Sequence, residues 1–217
     1  MSILSPDGTS YKLTPELQDR RGQRADPSWE RIEAELASLS ANFEPLLAQG
    51  WRHSPFITGA VTRPDPEPAG QDGEAYHARL DALVAALEAA GVTGARKVCS
   101  VHPGWVSVME RAVSGMIYRL ALEPGANLAV QQVKEKFGTL RFYVSPTGSD
   151  QLRSDIFDIA TWAEVATDGR CAVTGEPGGI AMDGWLLTLN HEMEILRRHD
   201  RAAFDKLLHP AGREANT

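Results

Sequence analysis

Two stretches rich in Val, Leu, Phe and Tyr, Leu128 to Lys134 and Thr139 to Ser145, are separated only by Glu135 to Gly138. That spacing predicts an antiparallel β-hairpin, and it is the feature that most constrains the fold. Alternation along the second strand puts Leu140, Phe142 and Val144 on one face and Arg141 and Tyr143 on the other.

Helical spacing surrounds the hairpin. Before it, residues 74–90 set Tyr76, Leu80, Leu83, Val84 and Leu87 on one face, with Gly91 as the C-cap. Residues 98–101 read as a short strand. His102-Pro103-Gly104 breaks the chain, and from Trp105 the residues Met109, Val113, Met116, Ile117 and Leu120 predict a helix closed by Glu123-Pro124-Gly125. After the hairpin, residues 150–166 predict a helix that buries Leu152, Ile156, Ile159, Ala160 and Ala163, with Trp162 at its edge and Gly169 at its end. A glycine-rich loop follows, with a short apolar strand around residues 185–189. A last helix over 191–208 offers Met193, Leu196, Phe204 and Leu207 for packing. The fold class is therefore α+β, with several amphipathic helices packed on a small antiparallel sheet that contains the central hairpin.

The first 72 residues read as an extension. Residues 1–27 predict a loop-rich lead-in with at most one short helix near 15–21. Ser28 then caps a helix in which Trp29, Ile32, Leu36, Leu39, Phe43 and Leu46 recur at steps of three and four, ending near Gly50. Residues 63–72, RPDPEPAGQD, form a proline-rich connection and the boundary with an α+β domain over 73–209.

No run nears the roughly 18 apolar residues of a membrane span, and the N-terminus lacks a signal-peptide pattern, so the expected location is cytoplasmic. Two cysteines, Cys99 and Cys171, are too few for a disulfide framework, although one bridge stays open. The net charge of −7 disfavours non-specific nucleic-acid binding. From Asp150 to Glu194 nine acids face two arginines, so the acidity sits in the C-terminal third.

The segment QVKEKFGTLRFYV, Gln132 to Val144, resembles a family of small, mostly uncharacterised bacterial and phage-encoded proteins with a KEKFG-x-LRFY hairpin. The likeness extends to Gly104-Trp105, to the helix of Ile156 to Glu164 and to Gly184-Trp185, covering roughly residues 104–193. It implies a zinc-knuckle-like segment over 170–193 whose four donor positions fall here at Cys171, Thr174, Asn190 and Met193. Thr174, Asn190 and Met193 are not usual structural-zinc ligands, and His191 beside them does not complete a tetrahedron. The expectation is a metal-free remnant held by packing around Trp185, Ile180 and Leu187, with no cofactor.

No phosphate loop, dinucleotide fingerprint or serine elbow is present. Cys99 and His102 invite a nucleophile-and-base reading, but their separation does not ensure that they face each other, and burial as a small hydrophobe is the commoner fate of a lone cysteine. His191 and His199, with Glu192 and Glu194 nearby, lack His-Glu-x-x-His spacing and read as a solvated helix face. No catalytic residue is assigned. Two binding readings remain. A protein-binding module, such as an immunity or inhibitor protein, would meet a basic partner through Asp150, Asp155, Asp158, Glu164 and Asp168. Alternatively, a nucleic-acid-associated protein of zinc-knuckle descent would use Lys134, Lys136, Arg141 and Tyr143, a mixture of cations and aromatics suited to single strands.

Overall fold

The computed structural model describes residues 2–4, 10–12, 34, 37 and 73–211. Over them the protein is α+β, with helices packed on small antiparallel two-stranded sheets. Strands β1 (Ser2–Leu4) and β2 (Ser10–Lys12) pair antiparallel where the sequence predicts loop. Strands of three residues are too short to show an alternation. Ala34 and Ala37 are helical and exposed. The rest of the helix expected over 28–50, the one near 15–21 and the connection over 63–72 lie outside the described residues.

Helix α1 (Gly73–Ala89) buries Tyr76, Leu80, Leu83, Val84 and Leu87, the predicted face. It ends where Gly91 N–H donates to Glu88 and Val92 N–H to Leu87, each at 2.9 Å, a paired closure that satisfies two carbonyls otherwise left open. A 3-10 helix, Ala95–Ser100, then occupies most of the expected strand at 98–101. The reason lies in the spacing: Ala95, Val98 and Val101 are buried at steps of three, the 3-10 repeat. A second 3-10 turn, Pro103–Trp105, leads into α2 (Val106–Ala121), whose buried face includes Met109, Val113, Met116 and Leu120.

The hairpin is β3 (Asn127–Lys136) and β4 (Thr139–Thr147), so its loop has two residues rather than the predicted four. Lys136 opposes Thr139, Val133 opposes Phe142, and the register shifts between Val130 and Gln132. That bulge lets Leu128, Val130 and Val133 share the inner face with Leu140 and Phe142 despite their broken alternation. Both sheet edges are occupied. Thr93 bridges to β3, its N–H donating to Leu128 and its carbonyl accepting from Val130, and Thr167 accepts the Leu140 N–H at 3.0 Å.

Thr167 ends α3 (Asp150–Thr167), which Ser149 caps by accepting the Leu152 N–H. Trp162 is fully buried rather than at the edge, because α3 packs on both α2 and β4 and its apolar face is wider than one stripe. Short strands β5 (Gly179–Ala181) and β6 (Leu187–Leu189) pair antiparallel. The expected last helix is two, α4 (His191–His199) and α5 (Arg201–Leu208). Asp200 divides them because its carboxylate accepts the Ala203 N–H and caps a new helix.

One buried charge pair joins α2 to α3. Arg119 Nε donates to Asp155 Oδ2 at 2.6 Å, Gln151 donates to the other Asp155 oxygen at 2.8 Å, and Glu123 accepts from Arg119 at 3.2 Å. Both members of the pair are buried, so removing one strands the other. Asp155→Ala is expected to lower unfolding free energy by about 3–5 kcal/mol in urea titration, and Arg119→Met combined with Asp155→Leu to recover most of it.

Candidate functional site

Positive backbone angles shape the hairpin tip. Phe137 (φ 57°) and Gly138 (φ 83°) form its two-residue loop, the mirror-image turn that matches strand twist and normally carries Asn-Gly or Asp-Gly. A Cβ at Gly138 would lie 2.6 Å from Thr188 Oγ1, so glycine is required there. Phenylalanine in this left-handed region costs about 1–2 kcal/mol, and the residue is 61% exposed. Neither backbone comfort nor core packing accounts for Phe137.

The surface next to it comes from the C-terminal loop. Thr188 donates to the Gly138 carbonyl at 2.8 Å, fastening β6 to the tip. Glu135 uses one carboxylate oxygen for the Gly138 N–H at 2.7 Å and the other for the Trp185 indole N–H. Arg197 of α4 donates to the Trp185 carbonyl at 2.7 Å, while Arg198 pairs with Asp183 and Glu194. Trp185 is thus anchored at its indole and its backbone, yet 69% of it is exposed. A cleft of about 250 Å³ lies among Glu135, Lys136, Phe137, Trp185 and Leu186. Met182, 73% exposed, lies in the same loop, and Ile180, 51% exposed, is in β5, which leads into it. Trp185, fixed by its hydrogen bonds, and the exposed Phe137, Ile180 and Met182 beside it form an apolar surface whose indole is preorganised.

The acidic residues singled out from sequence do not form one surface. Asp155 is buried against Arg119, and Glu164 is paired with Arg141, so neither is free to meet a basic partner. Alternation on a helix does not reveal a charge that its neighbouring helix neutralises. Asp150 is exposed beside Arg153, and Asp158 and Asp168 are half-buried. Burial, with the Asp155 charge second, raises the Asp158 carboxyl above its usual range.

Lys134, Lys136, Arg141 and Tyr143 do share the outer face of the hairpin. Lys134 Nζ sits 5.3 Å from the Tyr143 ring centre and Lys136 Nζ 5.2 Å from that of Phe137. Those contacts occupy ring faces on which a base would stack, and Arg141 is committed to Glu164.

In the 170–193 segment the four positions of the zinc-knuckle pattern lie near one another. Gly175 N–H donates to the Cys171 carbonyl at 2.9 Å, Asn190 Nδ2 donates to Thr174 Oγ1 at 3.3 Å and to Glu176, and Asn190 Oδ1 accepts the Met193 N–H at 2.9 Å. Hydrogen bonds through Asn190 tie the two halves together. Trp185 and Ile180, expected to pack inside, are exposed instead: Trp185 is bonded to Glu135 beside the hairpin tip, and Ile180 is the exposed residue of β5, next to buried Ala181. The segment docks on the helices through Gly104-Trp105: Gly104 N–H donates to Ala172 at 2.8 Å and Trp105 Nε1 to Arg170 at 3.0 Å. A Cβ at Gly104 would fall 2.2 Å from the Cys171 carbonyl, which explains the glycine. Among the described residues no trio of His, Cys, Asp or Glu is grouped to hold a metal, and His191 and His199 sit at opposite ends of α4.

Both cysteines are free thiols. Cys99 is exposed as a residue, but partial desolvation of its thiol, with the Asp81 charge second, pushes it up, away from the thiolate a nucleophile needs. His102 lies against the rings of Trp105 and His209, and burial, with the His209 charge second, lowers it from 6.5 to about 4.

The fold and the surface together define an α+β domain presenting an anchored apolar tip. Among the described residues no helix is long and apolar enough to cross a membrane. Comparisons with protein-family models, curated proteins and solved structures give no match.

Sequence reasoning uses Phe137 only as one aromatic among the hairpin cations and misses the surface it forms with Trp185, Ile180 and Met182. An available signal was Phe preceding the turn glycine, a position that projects from any two-residue hairpin loop.

Phe137→Asn is expected to leave the unfolding free energy unchanged or raise it by up to about 1 kcal/mol, measured by urea titration, because Asn accepts the left-handed turn. Protonation of His102 is favoured in the unfolded chain, so its contribution to stability is present above pH 6.5 and is lost as pH falls towards about 4. Melting temperatures across that window are expected to decline less in His102→Phe than in the parent chain.

Proposed function

We propose that the protein is a non-catalytic protein-binding module, of the inhibitor or immunity type, whose recognition surface is the hairpin tip. The carrying observation is the pairing of Phe137 and Trp185 across a cleft, both largely exposed, the first on a turn whose backbone is fastened to Glu135 and Thr188 and the second held at its indole and its carbonyl. Trp and Phe together with exposed Met and Ile match the composition of protein interfaces rather than of phosphate-binding surfaces. Lys134 and Lys136 flank the tip, so the partner surface that fits is apolar with an acidic rim. This differs from the basic partner inferred from Asp150, Asp155, Asp158, Glu164 and Asp168, and the change follows from the burial of Asp155 and the pairing of Glu164.

On this reading the 170–193 segment is a former zinc knuckle whose shape now depends on Asn190 and Thr174, which supports a scaffold rather than a chemical role. It also puts the protein in the cytoplasm, where both thiols stay reduced.

The test uses the tagged full-length chain as bait in nuclease-treated extract of its native host. A protein retained in stoichiometric amount by the parent chain is expected to lose at least about tenfold in affinity with Phe137→Asn and with Trp185→Ala, each an anchor loss of roughly 2 kcal/mol. Its binding should persist with Asp150→Lys and Asp158→Lys. Retention that survives both tip substitutions, or disappears with nuclease alone, refutes the reading; loss on charge reversal of the acids restores the acidic-surface alternative.

A further inference from the structure

A second apolar surface lies away from the tip, between α1 and α2. It is a trough of about 430 Å³ whose lining includes Ala82, Leu83, Ala86, Val113, Ile117 and Tyr118. Its charged members, Arg79 and Glu110, are paired with each other through two contacts of 2.7 Å. A trough whose charges cancel offers little to an ionic ligand and suits an apolar one. Ala82 and Ala86 are exposed and short, so a helix can approach α1 closely there.

We propose that the occupant of this trough is the chain's own apolar stripe of Trp29, Ile32, Leu36, Leu39, Phe43 and Leu46. The stripe spans about 26 Å at helical rise, close to the length of about 25 Å that the 17 residues of α1 give. At helical spacing Ala34 and Ala37, helical and exposed, lie roughly 130–170° from the centre of the stripe, outside the set of positions proposed to dock. Between the stripe and the start of α1 lie residues 47–72, a length of chain able to reach roughly 25–30 Å. Such a tether holds the stripe at an effective concentration on the order of millimolar, above what a free competitor ordinarily reaches. A second copy of the chain could fill the trough only by displacing this tethered segment.

The experiment is amide hydrogen exchange on the full chain, with Leu39→Asp in the stripe and Ala86→Glu in the trough. Protection on the order of tenfold over free-peptide rates is expected across residues 29–46 in the parent chain, independent of protein concentration. Ala86→Glu should remove that protection while β3, β4 and α3 stay protected, and Leu39→Asp should raise exchange in α1 and α2 without touching the domain's sequence. Protection of 29–46 that persists in Ala86→Glu overturns the proposal, as does exchange in α1 and α2 unchanged by Leu39→Asp. Protection that grows with concentration, accompanied by dimer in sedimentation, assigns the trough to a second copy and also overturns it.

Discussion

A two-stranded hairpin cannot bury its own apolar face, and that constraint organises the domain. The inner face of β3 and β4 is covered from the helical side, with α3 packed along β4. Its open edges are covered by single residues, Thr93 on β3 and Thr167 on β4, each satisfying backbone groups that would otherwise invite another strand. Among the described residues the outer face and the tip are left to water. The surface available for recognition is therefore what remains after the hairpin has been sheltered.

The short motifs of the sequence act mainly as joints. Gly104 and Trp105 bind the 170–178 loop to α2, Gly138 and Thr188 bind the hairpin to β6, and Asn190 links that loop to the start of α4. Close approach explains the glycines, since a side chain at Gly104 or Gly138 would collide with the partner segment. Phe137 and Trp185 stand apart from this pattern. Trp105 and Trp162 are wholly buried, whereas Trp185 is fixed by Glu135 and Arg197 and still faces solvent. Fixing an exposed aromatic ring removes in advance part of the ordering entropy that binding would otherwise cost.

Much of the fold was legible because local period and burial coincide. The buried faces of α1 and α2 and the inward side of β4 follow from residue spacing, and the end of α1 follows from Gly91. Where the structure differs, a short-range signal has two outcomes: three of the four residues of 98–101 form 3-10 helix, and Asp200 caps a new helix inside a continuous apolar pattern. The candidate site was less legible. Helix face alone does not show the fate of its acids, because the decisive neighbours, Arg119 and Arg141, come from other elements.

The sequence by itself determined the α+β class, the hairpin and its inward face, because side-chain period and turn length are local properties of the chain. Tertiary structure alone decided which charges are neutralised and which aromatic rings reach solvent. Those outcomes depend on contacts between residues far apart in the chain, such as Arg119 with Asp155 and Glu135 with Trp185, and no local pattern encodes them.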